Sequence, residues 1–292
     1  MYQKIKPYIL IAPAILIITI LFFGGLILGF IQSLGLCNIS GNSHFTVNAY
    51  KQLLSSTDFL KSLQLTFKVA TIATITSGII SMLLINILFV IEENRLSKLF
   101  RRIFQIPILV PHITAAYLVG LLLMKSGLIS SISYGLGITK TMEAFPSIIN
   151  DINSFGIIIT YIWKETPIII LMLIPVVQRV EDSWLEIARI FGGTRIDFFK
   201  EVVLPLLMPT WISSMLIVFA FTFSDFEVPY LLGVTYPKFI SVFAYDIYFN
   251  GELSARPLAL AANFILVTIT ATVGICAYKT IKKWDIKKEM RW

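Results

Sequence analysis

Charged residues are scarce in this chain of 292 residues. Only 14% are Asp, Glu, Lys or Arg, whereas soluble domains average about 25%. Hydrophobic residues make up 57%, and the mean hydropathy is +0.82. This composition excludes an ordinary soluble domain and places the chain in a lipid bilayer. The length allows about six spanning helices of roughly 20 residues, with connections too short for a separate domain. We therefore expect an all-α polytopic membrane protein with one domain over residues 1–292.

Residues that carry catalytic or metal chemistry are also few. Cys37 and Cys276 fall near opposite membrane faces, so a disulfide, which needs Cα atoms within about 7 Å, is not expected. His44 and His112 lack the neighbours of a metal cluster or a catalytic triad. No glycine is followed by lysine, which excludes the phosphate-binding loop GxxxxGK[ST]. We predict a protein that is not an enzyme and binds no metal or cofactor.

Six apolar runs are predicted to cross the membrane. The first is interpreted as a retained span, because the apolar core of a signal peptide has only about 7 to 15 residues. The stretches 35–62, 125–155 and 234–257 are predicted as loops, with a short surface helix as an option for the middle one. The predicted spans cover about 9–34, 63–91, 106–124, 155–177, 211–226 and 257–278.

The distribution of basic residues predicts the orientation of these spans. Sixteen of the 24 Lys and Arg residues fall on the N-terminus, on residues 92–105 and 178–210, and on the C-terminal tail, whereas the opposite loops hold six. Basic residues are enriched on cytoplasmic loops, so both termini and residues 178–210 are predicted to be cytoplasmic. The net charge of +7 is spread between apolar runs and does not form a nucleic-acid-binding face.

The charged segment over residues 181–209 lies between the fourth and fifth apolar runs. Its sequence is EDSWLEIARIFGGTRIDFFKEVVLPLLMP. Asp182 or Ser183 is predicted to cap a short helix, and Gly192 with its neighbours Gly193 and Thr194 to end it. Arg195–Val203 is predicted to resume the helix until the next proline. Two short helices joined by a glycine turn predict a compact knob that fits a groove of another protein.

This segment resembles the EAA loop in the permease subunits of bacterial binding-protein-dependent ABC importers. The pattern is Glu-Ala-Ala, three residues, Gly, nine residues, then Ile-x-Leu-Pro. The residues that match in register are Glu186, Ala188, Gly192, Leu204 and Pro205. The resemblance extends over most of the chain through PYILIAPAILI at 7–17, WKETPIIILML at 163–173 and SDFEVPYLLG at 224–233. The last stretch is most similar to permeases of the polyamine, iron, phosphonate and sugar groups.

Two positions depart from the pattern: Ile187 replaces the first Ala of Glu-Ala-Ala, and Val202 replaces the Ile of Ile-x-Leu-Pro. Ile187 is the bulkier change, at a position where the family packs tightly. The resemblance implies a six-helix permease of the type I ABC importer kind in a bacterial cytoplasmic membrane. It also implies three partners: a dimer of ABC ATPases, a second permease that is identical or paralogous, and an extracytoplasmic solute-binding protein. The residues it assigns to ATPase coupling are Glu186, Ala188, Arg189, Gly192, Arg195, Leu204 and Pro205.

Polar residues within the fourth and fifth spans are candidates for the translocation path. Each charge at the centre of a membrane costs on the order of 2.5 to 3.5 kcal/mol, so such residues need a partner or a cavity. Lys164, Glu165 and Thr166 either form a structural kink held by an ion pair or line the path. Asp225 and Glu227 end the fifth span, either at the outer mouth or in the path.

Other functions stay open at this point. An autonomous secondary carrier or channel would also suit six spans with intramembrane charges. An enzyme acting on lipids would need acidic residues or histidines near the interface, where only Asp225 and Glu227 qualify. The segment 181–209 could also be an amphipathic loop resting on the membrane. His112 is interpreted mainly as a packing or interfacial residue.

Overall fold

The computed structural model describes residues 2–36, 44–90 and 102–289. Several features named above therefore lie outside the described residues: Cys37, most of the basic loop 92–105, and the end of the basic tail. The described residues form helices and no strand. The all-α prediction is confirmed.

The described residues contain twelve α-helices, which are numbered in chain order. Short 3-10 turns at Met142–Ala144 and Leu253–Ala255 and a π-helical segment at Phe199–Val203 supplement them. The helices are α1 Tyr2–Ser33, α2 Asn48–Ser55, α3 Thr57–Val90, α4 Ile106–Leu109, α5 His112–Leu123, α6 Leu128–Gly135, α7 Phe155–Ile190, α8 Arg195–Phe198, α9 Leu204–Ser224, α10 Glu227–Leu232, α11 Ile240–Asn250 and α12 Arg256–Glu289.

Within the part of the chain that the structure describes, six stretches of helix are long and apolar enough to cross a membrane, which confirms the predicted number. Several extend further than the sequence suggested; the second, for example, begins at Thr57 and not at 63. The stretches are Leu10–Ser33, Thr57–Val90, His112–Gly135, Phe155–Glu181, Arg195–Ser224 and Leu253–Lys279.

The predicted loops are shorter than expected. Residues 35–62 contain α2 and the start of α3, residues 125–155 contain α6, and residues 234–257 contain α11. Helix α2 buries Ala49 and Leu53, and α11 buries Ile240 and Ala244. Most of 35–62 and 234–257 lies between candidate spans, as predicted, but each stretch also contains a short helix that the sequence did not predict. These short helices bury apolar residues against the rest of the chain, a tertiary contact that the local sequence does not reveal. The short helix allowed for in 125–155 is present.

The predicted helix breaks in the second half of the chain also need correction. Helix α7 continues across the WKETP stretch and through Asp182 and Ser183, so no separate helix starts there. Asp and Ser each destabilise the interior of a helix by less than about 1 kcal/mol, whereas starting a new helix carries the unfavourable free energy of nucleation. The helix that starts at Arg195 likewise does not stop at Pro205 but continues to Ser224 through the π-helical segment.

The chain divides into two compact units, one of Met1–Leu60 with Ile240–Val267 and the other of Lys61–Phe239 with Thr268–Trp292. In the first unit, the ring of Phe59 lies 6.0 Å from that of Phe243. The Ser33 hydroxyl is 2.7 Å from the hydroxyl of Tyr50. Helix α1 leaves its apolar side chains exposed from residue 10 onward, as expected of a surface in contact with lipid or another subunit.

The second unit holds the larger apolar core, and this core reaches into the segment 181–209. Its buried members come from the end of α3, the middle of α7, and the stretch from α8 to α9. They are Ile85, Phe89, Ile169, Ile170, Leu173, Val177, Val180, Leu185, Phe198, Phe199, Val203, Leu207 and Val218. The segment is therefore anchored by packing and is not a free loop.

Candidate functional site

The segment 181–209 begins as the last turns of α7. Leu185 is buried in the core of the second unit and fixes the rotation of these turns. Glu186 and Arg189 are exposed, and Ala188 is half-buried. Glu186 and Ala188, the first two residues that match the EAA pattern, thus lie at the end of a long helix, so a force applied to them acts directly on a membrane-spanning element.

A glycine turn ends α7 in a defined geometry. Gly192 has a φ of +79°, a left-handed conformation that glycine adopts without strain. Its N–H donates to the carbonyl of Arg189 at 2.9 Å, and the N–H of Gly193 donates to the carbonyl of Ala188 at 3.0 Å. This pair of bonds is a Schellman motif. A Cβ on Gly193 would lie 3.1 Å from the Ala188 oxygen, whereas a Cβ on Gly192 would meet nothing within 4 Å.

Large apolar side chains are exposed at the tip of this turn. Ile190 is 82% exposed and Phe191 is 86% exposed. Trp184 and Ile187 on the preceding turns are about half-exposed. Exposed apolar groups bordered by charges mark surfaces that bind another molecule. The bulky Ile187 is accommodated because it points away from the core.

The chain turns back into helix through a capping box. Thr194 accepts a hydrogen bond from the backbone N–H of Asp197 through its hydroxyl, and the Asp197 carboxylate accepts one from the N–H of Thr194, both at 3.2 Å. The π-helical residues Phe199–Val203 then lead into Pro205 at the start of α9. A π-helical turn widens the helix just where the proline ring would otherwise clash with the preceding turn.

Two residues outside the matched pattern anchor this second half of the segment. Val203 and Leu207 are fully buried, four residues apart on the same helix face. Leu204 is half-buried and Pro205 is exposed. The matched Leu-Pro pair therefore shapes the helix start, while the flanking pair holds it in the core. Their i, i+4 spacing was the sequence signal for that role.

A polar cleft of about 590 Å³ lies between the end of α3, the second half of α7 and α8. Its polar lining comes from Gln178, Glu181, Glu186, Arg189 and Arg195, over an apolar floor that includes Phe89 and Val177. Two acidic and two basic side chains balance in charge within it. Such a cleft can take polar side chains of a docked protein beside the apolar tip.

Arg195 is turned toward its own chain. One guanidinium N–H donates to the carbonyl of Phe89 at 2.9 Å, and the other end lies 3.5 Å from a carboxylate oxygen of Glu181. Arg189, in contrast, is exposed. Of the two arginines assigned to coupling by resemblance, Arg189 is thus the one whose side chain is presented outward.

The intramembrane lysine of the fourth span supports a break in the third. Lys164 is 2% exposed. Its ammonium group donates to the carbonyls of Pro107, at 2.6 Å, and Val110. Both carbonyls belong to residues just before Pro111, at the break between α4 and α5, where the proline interrupts the helical hydrogen bonds. The lysine therefore satisfies an irregular backbone inside the protein.

Glu165 pairs with His112, a partner that the sequence did not predict. Its carboxylate lies 3.0 Å from Nε2 of His112, whose ring is 4.5 Å from that of Phe221. Glu165 is 1% exposed. The buried hydroxyl of Thr166 has no hydrogen-bond partner among the described residues. Two contacts thus hold α7 in place here: Glu165 pairs with His112 of α5, and Lys164 binds the backbone before α5.

The two acidic residues after the fifth span differ in environment. Asp225 is 9% exposed, and its carboxylate accepts hydrogen bonds from the Tyr161 hydroxyl at 2.9 Å and from the N–H groups of Glu227 and Val228. It thereby caps the start of α10. Glu227 is exposed. The structure separates these neighbours into one structural carboxylate and one available to solvent.

Sequence reasoning missed Tyr161 and the pairing of His112. Tyr161, Lys164 and Glu165 lie three and four residues apart, so they share one face of α7. That spacing was the available signal for a polar face inside the bundle. No group of three or more His, Cys, Asp or Glu residues in the described ranges is arranged to hold a metal ion.

Comparison with known proteins identifies a family whose model matches this chain. The model of the family described as "Binding-protein-dependent transport system inner membrane component" matches residues 90–283. The chain is 26% identical to an inner membrane ABC transporter permease of Escherichia coli, over 70% of this chain and 67% of that protein. It is also 26% identical to a trehalose/maltose transport system permease of Thermococcus litoralis, over 75% and 74%.

A solved structure shares the fold. A chain of a bacterial ABC transporter involved in the import of the acidic polysaccharide alginate superposes with a TM-score of 0.78 at 17% identity. The match covers 97% of the present chain and 98% of that chain. The family match includes the whole of the segment 181–209 and both sets of intramembrane polar residues.

Proposed function

The chain belongs to the family of binding-protein-dependent transport system inner membrane components, and on that premise we propose that its segment 181–209 docks onto a separate ABC ATPase. The chain is a multi-pass transport subunit of the membrane, with six helices able to span it. ATP-driven movement of the ATPase would displace the segment. Helices α7 and α9, which enter and leave it, would then rock and alternately open the path.

The exposed apolar tip is the observation that carries this proposal. Ile190 and Phe191 are more than four-fifths exposed on a turn whose backbone is fixed by the Schellman bonds. A rigid, apolar, exposed tip beside a polar cleft has the anatomy of an interface core with a polar rim. Glu186 and Arg189 would form that rim, and Gly192 would allow close approach.

The orientation follows from the same proposal. Both termini and the segment 181–209 would be cytoplasmic, where ATP is found, in agreement with the excess of basic residues on that side. A second permease, identical or paralogous, would complete the path. An extracytoplasmic solute-binding protein would deliver the solute to the opposite face. Within this scheme residues 1–292 act as one permease domain.

The intramembrane polar residues take different parts in the path. We assign Glu227 and Thr166 to its wall, since one is exposed and the hydroxyl of the other has no partner in the described chain. Lys164, Glu165 and Asp225 would shape the path indirectly through the backbone and side-chain contacts they make. An autonomous carrier or channel is not favoured, because the relatives are importer permeases.

Affinity purification of the tagged chain in mild detergent, with mass spectrometry of the proteins that accompany it, tests the docking. We expect a nucleotide-binding ATPase, a second permease or a second copy of this chain, and, with solute present, a binding protein. Two copies with different tags distinguish a homodimer from a heterodimer of permeases. Phe191→Ser should lose the ATPase while the chain stays in the membrane, because truncating a central anchor of an interface removes a large share of its binding energy.

Ile138→Ser provides the matched control. Ile138 is 75% exposed, apolar, and lies in the connection between α6 and α7, at the opposite end of α7 from Phe191. This variant should retain the ATPase. Loss of the ATPase from both variants, or from neither, would contradict docking at the tip.

A further inference from the structure

Arg195 joins three parts of the chain that are distant in sequence. It is the first residue of α8, its guanidinium donates to the carbonyl of Phe89 in the last turn of α3, and it pairs with Glu181 on α7. The guanidinium carbon also lies 5.8 Å from the centre of the Phe89 ring. Only 24% of the arginine side chain is exposed. The two terminal nitrogens of its guanidinium are therefore directed to groups of this chain, whereas its Nε is buried without a hydrogen-bond partner among the described residues.

The acceptor on Phe89 is a backbone carbonyl in the last turn of α3 that the structure describes. A hydrogen bond from a charged donor contributes more to stability than one between neutral groups, and the planar guanidinium of arginine holds such a bond in a fixed geometry. Arg195 thereby fastens the end of α3 to the start of α8.

An aromatic contact reinforces this polar one. The Phe89 ring is stacked on that of Phe198 with 6.0 Å between centres, and it lies 5.6 Å from the ring of Phe199. All three rings are buried. Because packed aromatic groups in a core resist sliding, the end of α3 is held on two sides by residues of the segment 181–209.

A second attachment lies further along α3. The indole N–H of Trp211 donates to the carbonyl of Gly78 at 3.0 Å. A Cβ added to Gly78 would lie 2.7 Å from the sulfur of Met215, so a larger residue there would displace the Met215 side chain. The two attachments are about 16 Å apart along α3 at 1.5 Å per residue. Two attachments restrict the movement of α3 relative to α8 and α9 more than one would.

We propose that Arg195 is a positioning residue that makes α3 move together with the segment 181–209. The inference rests on the proposed function, because docking of an ATPase supplies the displacement. The displacement then enters the membrane through α3 as well as through α7 and α9, which are covalently continuous with the segment. Arg195 then acts within the permease, in contrast to the ATPase contact that resemblance assigns to it.

A reporter at the end of α3 tests this inference. Ile87 is 51% exposed on α3. Ile87→Cys, in a chain carrying Cys37→Ser and Cys276→Ser, would hold an environment-sensitive fluorophore. The complex purified with its ATPase is then given MgATP. We expect a change of fluorescence with the Arg195 chain and its loss with Arg195→Leu, although Arg195→Leu still recovers the ATPase.

Three further variants separate the parts of the contact. The double variant Glu181→Arg, Arg195→Glu exchanges the two charges and keeps an ion pair between the positions. Because a glutamate cannot donate to the Phe89 carbonyl, the fluorescence change should stay absent. Arg195→Lys keeps a cation and its donors and should restore part of the signal. Lys200→Gln removes an exposed cation from the same segment and should leave the signal intact.

The outcomes distinguish this inference from the proposal on which it rests. A persisting signal in Arg195→Leu, with the ATPase still bound, overturns the role of Arg195 and leaves the docking proposal standing. A full signal in the charge-exchanged variant overturns it as well. Loss of the ATPase from Arg195→Leu alone would show that Arg195 contacts the ATPase instead. If the unaltered chain recovers no ATPase, both proposals fail together.

Discussion

At the scale of single residues, the segment 181–209 depends on a glycine whose backbone is left-handed. Gly192 matches the EAA pattern, and the structure adds a physical reason for it, since φ is +79° with open space around the position of a Cβ. Asn and Asp tolerate this conformation better than other residues, and they have nearly the same shape. They therefore separate the effect of charge from that of backbone strain.

We predict that Gly192→Asp inserts normally but uncouples transport from ATP hydrolysis, because an ionised carboxylate must be desolvated at a close docking surface. Gly192→Asn should retain most of the coupling. Solute uptake and ATP hydrolysis by reconstituted complexes measure the ratio. Equal uptake by the Asp and Asn variants would contradict a close contact at this position.

The buried lysine allows a second prediction at this scale. Lys164→Met should destabilise the protein by on the order of 1.5 to 3 kcal/mol, because the carbonyls of Pro107 and Val110 lose a charged donor. Thermal unfolding in detergent measures the effect. Lys68→Met, at an exposed site on α3, is the control and should have little effect. Unchanged stability with reduced uptake would instead favour a direct place in the path.

Residue-level roles were only partly predictable from the sequence. The matched residues of the EAA pattern were found by spacing, because the pattern is local. The partner of Glu165 was not, since His112 is 53 positions away and only the packing of α5 against α7 brings them to 3.0 Å. The partners of Asp225 were likewise not predicted, since Tyr161 is 64 positions away and its hydroxyl and two backbone N–H groups meet the carboxylate only in the folded chain.

At the scale of helices, the sequence predicted their number and approximate position but not their ends. Uncharged runs of about 20 residues are a strong signal, because the bilayer sets the length. The continuation of α7 to Ile190 was hidden by Asp182 and Ser183, which resemble a cap. A cap is only an option for the chain; whether the helix breaks depends on the packing of Leu185, which lies in the core beyond them.

The start of α8 provides a prediction at this scale. Thr194→Ala removes the side-chain acceptor of the capping box and should destabilise the helix start by about 1 kcal/mol. Thr194→Ser keeps the hydroxyl and should behave as the unaltered chain. Hydrogen exchange of the amides of residues 195–198 measures the change. Equal protection in both variants would show that packing of Phe198 alone fixes this turn.

At the scale of the whole molecule, orientation in the membrane is the property on which every other role depends. The count of basic residues predicts it from a strong and general bias of membrane insertion. Two exposed apolar positions report on it directly: Ile138, in the connection that precedes α7, and Phe191, directly after α7.

We predict that Ile138→Cys reacts with a membrane-impermeant thiol reagent in intact cells, and that Phe191→Cys reacts only after permeabilisation. Both variants are made in a chain carrying Cys37→Ser and Cys276→Ser, so that no native thiol reacts. Mass spectrometry of the labelled chain gives the extent of reaction. The reverse pattern would place the segment 181–209 outside the cell and remove it from any contact with an ATPase.

Cross-linking in living cells tests directly whether the tip of the segment 181–209 meets an ATPase. Phe191, which is 86% exposed, is replaced with a photo-reactive amino acid, and the molecule that becomes covalently attached is identified. We expect an adduct with a nucleotide-binding ATPase, and no such adduct when the same amino acid replaces Ile138. Cross-linking of Phe191 to lipid alone would contradict docking and make the segment an amphipathic surface loop.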